Sequence, residues 1–526
     1  MAVWSHLAFI TSMAPTVLIL ILVVAGAYVR YTKSVKYHHP PGPAAVPLLG
    51  NVHQLPMEYQ QRKLAEWGRQ FGDVVFAKFF RTPVVVLNTK EAAVDLMEKR
   101  SAKYSDRPPF ILLKELMGWD SVINNLPYGE RFRKHRKWLQ DAFTSKAALM
   151  SYRPIQRRET YTLLSGLCDR PELFMDHIAR WAGAMVLDIA YGYRVTSLCD
   201  RLVETAERTT VETVLAGSPG SMLVDFFPIL KGIPLWMPGS KFKHQAFHVK
   251  SLVRQTLDVP YEMVKRAMMA GTAAPSLTAT LVEEALAEGI LTAEHEEDIK
   301  GAAGVVYAAG SETTVTTLKT FVLAMVLHPE VYQKARAEID RVVGPDRLPD
   351  FEDRDHLPYL ECVVKEVYRW NAPVPLGVPH RLNSDDVYRG YDLPDGAMVI
   401  PNIWWMTQNP DVYSNPEKFD PDRYLQMSSE DSERMDPRNV VFGFGRRICP
   451  GQVFADASVW LAAANIIAAL DLSFAKNAFG RDIVPDAAFI SGFVSQPKQF
   501  KCVFRARTEQ TRSLIAHMNA VNITTA

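Results

Sequence analysis

The sequence predicts a mainly α domain with small β-sheets, an α+β fold, preceded by one amino-terminal transmembrane helix. Three observations predict it: an uncharged apolar stretch at the amino terminus, helical periodicity over most of the remaining chain, and a few short β-type runs confined to two regions. Hydrophobic residues make up 48% of the 526 positions and charged residues 22%, enough to bury a substantial core and unlike a disordered chain. The formal net charge of +1 gives no overall electrostatic reason to expect nucleic acid, and no motif points to it. The five cysteines (168, 199, 362, 449 and 502) are dispersed and odd in number, which suits a reducing compartment better than a disulfide framework or a zinc ribbon.

Taken in order, the first element is the apolar stretch from Leu7 to Val29, which carries no charge and is interrupted only by Pro15. It is long enough to cross a bilayer as a helix. Its positive charges, Arg30, Lys33 and Lys36, follow the apolar run instead of preceding it. That order predicts a retained anchor within residues 1–30 (span about 7–29) over a cleaved signal, with everything after Arg30 on the cytoplasmic side. The Asn522-Ile523-Thr524 sequon would then stay unmodified. Residues 31–51 read as a basic and Pro-rich linker, with HPPGPAAVPLLGN (39–51) as a stiff extended spacer. No second linker follows, so residues 52–506 read as one catalytic domain and 507–526 as a carboxy-terminal tail. Within the domain, DVVFAKFF (73–80) and TPVVVLNT (82–89) predict a hairpin, and Val387 to Ile403 a second strand-rich region. Elsewhere helices are separated by Pro/Gly breaks. Residues 295–327 form one uninterrupted helix, about 50 Å long at about 1.5 Å per residue, that must cross the interior.

The segment that carries chemistry is Phe442-Gly-Phe-Gly-Arg-Arg-Ile-Cys-Pro-Gly451, followed by the helical pattern QVFADASVWLAAANIIAAL. Gly443, Gly445 and Gly451 permit tight turns and close backbone approach, and a helix start beside Cys449 favours thiolate. Arg447 can pair an anionic group, so the loop suits an iron porphyrin with propionate arms. For an isolated cysteine, a buried structural thiol would be the better reading. Here F-x-x-G-x-R-x-C-x-G resembles the haem-binding signature of the cytochrome P450 family at every specified position. The resemblance runs from the Pro-rich linker to about Phe504 and implies the cytochrome P450 fold. It also implies haem b ligated by Cys449, with Phe442 near the sulfur and Arg447 on a propionate.

Other segments extend that resemblance. Glu366 and Arg369 in KEVYRW lie on one helix face, and Arg423 in FDPDRY stands where the family completes a buried Glu-Arg-Arg network. Alone, an i,i+3 pair is most often a solvated surface pair. Ala309-Gly-Ser-Glu-Thr-Thr314 is similar to the family's oxygen-binding motif, with mid-helix Gly310 making room for a ligand. The resemblance gives Thr313 a hydrogen bond to oxygen at the iron and Glu312 a proton relay to solvent. A back-bonded threonine and a solvated acid are the plainer alternatives. In GERFRKHRKWL, Phe132 occupies the place of the family's tryptophan, leaving Arg136 to carry the propionate contact there. His380 joins the implied haem contacts. The basic run of Arg131, Arg133, Lys134, His135, Arg136 and Lys137 is either a solvated helix face or, by resemblance, the docking face for an NADPH-dependent cytochrome P450 reductase.

Four segments form the implied cavity, Ile111–Leu126, Val305–Thr313, Pro373–Val378 and Phe489–Val494, with Val305, Ala309, Val374, Leu376 and Phe489 as substrate-pocket residues. The texture of KEVYRWNAPVPLGVPHRL and DDVYRGYDLPDG looks like the fungal microsomal branch. That implies a monooxygenase using O2, and NADPH through the reductase, on a hydrophobic secondary metabolite. A terpenoid comes first, then an indole or polyketide. The protein would be a monomer whose single pass anchors it in the endoplasmic reticulum membrane. The rival functions are a haem-thiolate isomerase or dehydratase that does not use O2, which Glu312 and Thr313 argue against, and a non-catalytic membrane haem sensor or electron carrier.

Overall fold

The computed structural model describes residues 37–217 and 222–524; the anchor predicted over residues 7–29 lies outside them. We number helices of eleven residues or more. They begin with α1 (Gln60–Phe71), α2 (Glu130–Thr144), α3 (Lys146–Asp169), α4 (Phe174–Tyr191), α5 (Arg201–Ala216), α6 (Lys241–Met269) and α7 (Leu277–Ala287). Then come α8 (Ala293–Leu327), α9 (Pro329–Val342), α10 (Pro358–Trp370), α11 (Gln452–Ala469) and α12 (Glu509–Thr524). The strands are β1 (Val74–Phe79), β2 (Thr82–Leu87), β3 (His380–Arg381), β4 (Asp386–Tyr388), β5 (Tyr391–Leu393), β6 (Met398–Pro401), β7 (Leu470–Lys476), β8 (Asp482–Ile483) and β9 (Cys502–Ala506).

The predicted hairpin is present: β1 and β2 pair antiparallel from Val74 opposite Leu87 to Phe79 opposite Thr82. β2 is buried from Val84 to Leu87 because both faces of the sheet are covered. Val84 and Val86 pack with Leu64 and Trp67 of α1, while Val85 and Leu87 pack with Leu96, Met97 and Phe444. β6 joins β2 in parallel and β3 joins β6, giving the order β1-β2-β6-β3. The sheet thus supplies a floor for the cysteine loop, since Phe444 belongs to that loop. The second predicted strand region is also present, but it ends at Pro401, and Ile403 opens a short helix capped by the Asn402 side chain.

The Pro-rich segment is laid along β1: Phe76 N–H donates to the Pro41 carbonyl, and Asn51 Nδ2 donates to the carbonyls of Pro43 and Ala44. The carboxy-terminal segment is largely helical, with α12 packed on α3. One expectation needs correction: Pro154 and Pro260 lie inside α3 and α6 instead of breaking them. An interior proline disfavours a helix by about 3 kcal/mol, and Pro260 is buried among packed neighbours that override that preference.

Helix α8 spans the domain as predicted, capped by the Thr292 hydroxyl, which accepts from His295 N–H at 3.2 Å. A Cβ at Gly301 would lie 2.2 Å from the Ser121 carbonyl oxygen, so only glycine lets the helix pass there. Among the described residues, the one helix apolar and long enough to cross a membrane is α11, and most of it is buried in the core.

Near its start, α8 also redirects the basic run of α2. Asp298 is fully buried and meets Arg131, Lys134 and, at 3.2 Å, His135 Nε2. Half of the run therefore turns inward to pin α2 to α8 and is not a uniformly solvated face. Burial alone would raise the Asp298 carboxyl, but His135, Lys134 and Arg131 outweigh it and hold the group below the usual carboxylate range. Its folded-state pKa is thus depressed, so its contribution is present above about pH 4, the ordinary Asp value, and is lost as pH falls below that. Asp298→Asn is expected to destabilise the protein by about 2 kcal/mol at neutral pH, because the two permanently charged partners, Arg131 and Lys134, are one-third exposed and can turn to water. The loss should shrink toward pH 3 in melting curves.

Candidate active site

The cysteine loop is shaped by its glycines and by main-chain hydrogen bonds. Gly443 and Gly445 both adopt positive φ, +80° and +55°, and a Cβ on Gly445 would sit 2.0 Å from the Met97 carbonyl oxygen. Gly445 therefore closes the loop against the segment beneath it and does not line the cavity described below. Cys449 N–H donates to the Phe442 carbonyl at 2.8 Å, which holds the sulfur just ahead of α11. A Cβ on Gly451 would lie 4.0 Å from Cys449 Sγ, so glycine leaves the sulfur's surroundings open. Burial pushes the thiol up, while Gly451 N–H and the Arg136 guanidinium pull the other way.

A cavity of about 260 Å³ opens above this sulfur. Cys449, Phe442 and Gly451 line one side, and Val305, Ala309, Gly310 and Thr313 of α8 line another. Cys449 is accessible, and the space it borders is this cavity. Val374 also lines it, whereas Leu376 and Phe489 do not. Leu376 packs on the cluster under β1 and β2, and Phe489 meets Trp370 with ring centroids 5.5 Å apart. Val186 of α4, Leu139 of α2 and Tyr368 of α10 complete the wall, from elements whose sequences carry no pocket signature.

The cavity edge concentrates positive charge. Arg447 donates to the carbonyls of Ser105, Ile123 and Leu126, Arg107 to those of Asn124, Val378 and Pro379, and Arg136 to that of Ile448. Among the described residues, none of these guanidiniums has a carboxylate at ion-pair distance. Burial, with Arg136 nearby, lowers Arg447 to about 10, and burial with Arg447 nearby lowers Arg107 well below the usual range. His380 Nδ1 lies 2.6 Å from the Tyr104 carbonyl and must carry a proton to bond it. Burial and Arg107 hold that ring neutral. Buried cations without counter-charges are unfavourable, so the site fits a flat apolar group with carboxylate arms and a metal that takes thiolate. Haem b satisfies both.

Phe132 has a different place from the one its position implied. It lies beneath Arg447, whose Cζ is 3.8 Å from the ring centroid, and it does not line the cavity. Phenylalanine thus supports the Arg447 guanidinium from behind by cation–π attraction. Arg107 is the cavity residue that sequence reasoning missed; an arginine directly before the Pro108-Pro109 pair and the apolar FILL run was the available signal.

Behind the loop, the Glu366 carboxylate receives Arg369 Nε and Nη2, each at 2.7 Å, Arg423 Nε at 3.2 Å and Asp420 N–H at 2.9 Å. Both arginines spend their remaining donors on carbonyls between Thr407 and Lys418. The three side chains are buried, so this is the network and not a surface pair.

On α8, the Thr313 hydroxyl donates to the Ala309 carbonyl at 2.9 Å. The back-bond leaves the oxygen's lone pairs free toward the cavity. Glu312 faces the other side of the helix, where it lines a second, smaller cavity. Burial pushes its carboxyl up to about 7.

A family model described as Cytochrome P450 matches residues 40–504. Cytochrome P450 monooxygenase 136 of Postia placenta is 48% identical over 480 residues, covering 91% of each chain. Cytochrome P450 monooxygenase 176 of the same fungus is 46% identical over 502 residues, covering 94% of this chain and 96% of its own. Cytochrome P450 monooxygenase claR of Ampulloclitocybe clavipes is 40% identical over 507 residues, covering 95% and 93%.

Proposed function

The chain belongs to the fungal cytochrome P450 monooxygenases, and from that premise we propose that it oxidises a hydrophobic secondary metabolite, a terpenoid first, with O2 and electrons from an NADPH-dependent reductase. The observation that carries the proposal is the cavity, which combines an accessible thiol, the Arg107 and Arg447 guanidiniums without carboxylates and an apolar wall on α8. The chemistry supplied by bound haem is oxygen activation at an iron that thiolate ligation makes electron-rich.

The chain's own residues divide the remaining work. Cys449 would hold the iron as its thiolate, and Gly451 N–H and Arg136 favour the anion. Arg447, Arg107 and Arg136 would hold the propionates, and a bound carboxylate would favour a second proton on His380. The Thr313 hydroxyl, with its hydrogen committed to Ala309, accepts a hydrogen bond from a donor in the cavity. Glu312 holds a transferable proton at neutral pH. Val186, Val305 and Val374 exclude water and favour an apolar substrate. The amino-terminal stretch would anchor the domain on the cytoplasmic face of the endoplasmic reticulum.

The test is to supply isotopically labelled O2, NADPH and reductase with a panel of terpenoids, indoles and polyketides, and to read label incorporation by mass spectrometry. Product formed without O2 would favour the isomerase instead. In the same assay Thr313→Ala is expected to raise peroxide released per product by roughly tenfold. Unchanged coupling would count against its role.

A further inference from the structure

The cavity behind α8 contains a feature that the proposed chemistry leaves unused. It measures about 70 Å³, ample for several waters. It is lined by Glu312, Ser311 and Lys319 of α8, Glu207 and Thr210 of α5, and Gln496. Lys319 interrupts the apolar run VTTLKTFVLAMVL, whose neighbours on both sides are buried. Among the described residues it has no hydrogen bond or ion pair; the charged groups that face it are Glu207 of α5, Asp176 of α4 and Glu312. At seven residues' separation Lys319 and Glu312 lie about two turns apart on one side of the helix. They therefore meet across the cavity and not by direct contact. Gln496 Nε2 reaches Glu312 Oε1 at 3.5 Å, and exposed Glu207 marks the outer end.

We propose that this cavity is the proton entry of the enzyme and that Lys319 is its positioning residue, keeping Glu312 able to release and regain a proton. The inference rests on Glu312 acting as the relay described above. In each cycle the Glu312 O–H bond breaks and its proton is taken up by the O2 that the reductase's electrons reduce in the cavity above Cys449. The carboxylate that remains is stabilised across the waters by the Lys319 ammonium, and a solvent proton arriving past Glu207 restores the acid. Lysine fits this task because a partly buried ammonium with no fixed partner favours a transient anion nearby, whereas a permanent ion pair would keep Glu312 ionised. Without Lys319, burial and Glu207 would both oppose that anion.

The experiment compares Lys319→Met, Lys319→Gln and Lys319→Arg in the haem-loaded full chain, with Glu312→Gln as reference. Infrared difference spectra of the ferric protein locate the Glu312 carboxyl band, as the band that Glu312→Gln abolishes, and titrate it. Lys319→Met and Lys319→Gln should move its midpoint up by about one pH unit. They should also slow product formation several-fold and enlarge the solvent deuterium effect, while leaving the thiolate spectrum unchanged; Lys319→Arg should restore the midpoint and the rate. An unmoved midpoint in a folded Met or Gln variant, with Glu312→Gln impaired, would overturn the role of Lys319 and leave the Glu312 relay standing. Unimpaired turnover in Glu312→Gln would overturn both.

Discussion

Glu366→Ala should yield protein that retains little haem and melts far below the parent. The carboxylate accepts four hydrogen bonds, and its removal leaves Arg369, which is fully buried, and Arg423, almost so, without their counter-charge. Breaking one partner of a buried ion pair costs about 3–5 kcal/mol, a large share of the roughly 5–15 kcal/mol by which domains are stable. The damage should spread, because the same arginines hold the carbonyls of Thr407, Pro416 and Lys418 in the segment leading to the cysteine loop. Glu366→Gln, which keeps an acceptor but not the charge, should fall between. Haem bound per polypeptide, together with melting temperature, reads the effect; full haem content in Glu366→Ala would remove the network from its structural role. Asp298→Asn provides the contrast, since the charges it abandons on Arg131 and Lys134 can reach water.

That contrast also marks what the sequence could convey. Spacing put Glu366 and Arg369 on one face, but only their meeting with Arg423, more than fifty residues later, makes the pair buried. The hairpin, the long helix and the cysteine loop were legible because each is specified by local periodicity or turn chemistry. The basic run reads as uniform in the sequence, because a charge count cannot show that a buried acid on another helix waits opposite Lys134. Leu376 and Phe489 failed as pocket residues for a related reason: an apolar side chain in a loop has several apolar surfaces to choose from, and packing decides. Phe132 illustrates a milder case, in which the neighbour, Arg447, was anticipated but its stacking geometry was not.

Cys449→Ala is expected to abolish oxygenation while leaving the fold standing, and the separation of those two effects is what makes it decisive. The loop is held by main-chain bonds, Cys449 N–H to Phe442 and Arg447 N–H to Phe444 among them, and by Gly445 against Met97, none of which uses the sulfur. Removing one sulfur atom from a site already bordered by open cavity should cost only about 1 kcal/mol. Chemistry is another matter, because among the described residues no second cysteine lines the cavity to supply a thiolate. His380 stands in the cavity wall with its Nδ1 proton donated to Tyr104, and its free Nε2 would supply a neutral ligand, not a thiolate. Turnover should therefore fall by at least about a thousandfold, a barrier increase of roughly 4 kcal/mol. The carbon monoxide difference spectrum of reduced protein should lose its thiolate band even where some haem stays bound between the arginines. A thiolate spectrum in Cys449→Ala would place the ligand elsewhere. Loss of the fold with loss of the spectrum would mean that the sulfur, and not the backbone, organises the loop. Near-parental melting with no thiolate band is the outcome that the hydrogen bonds around Phe442 and Gly451 lead us to expect.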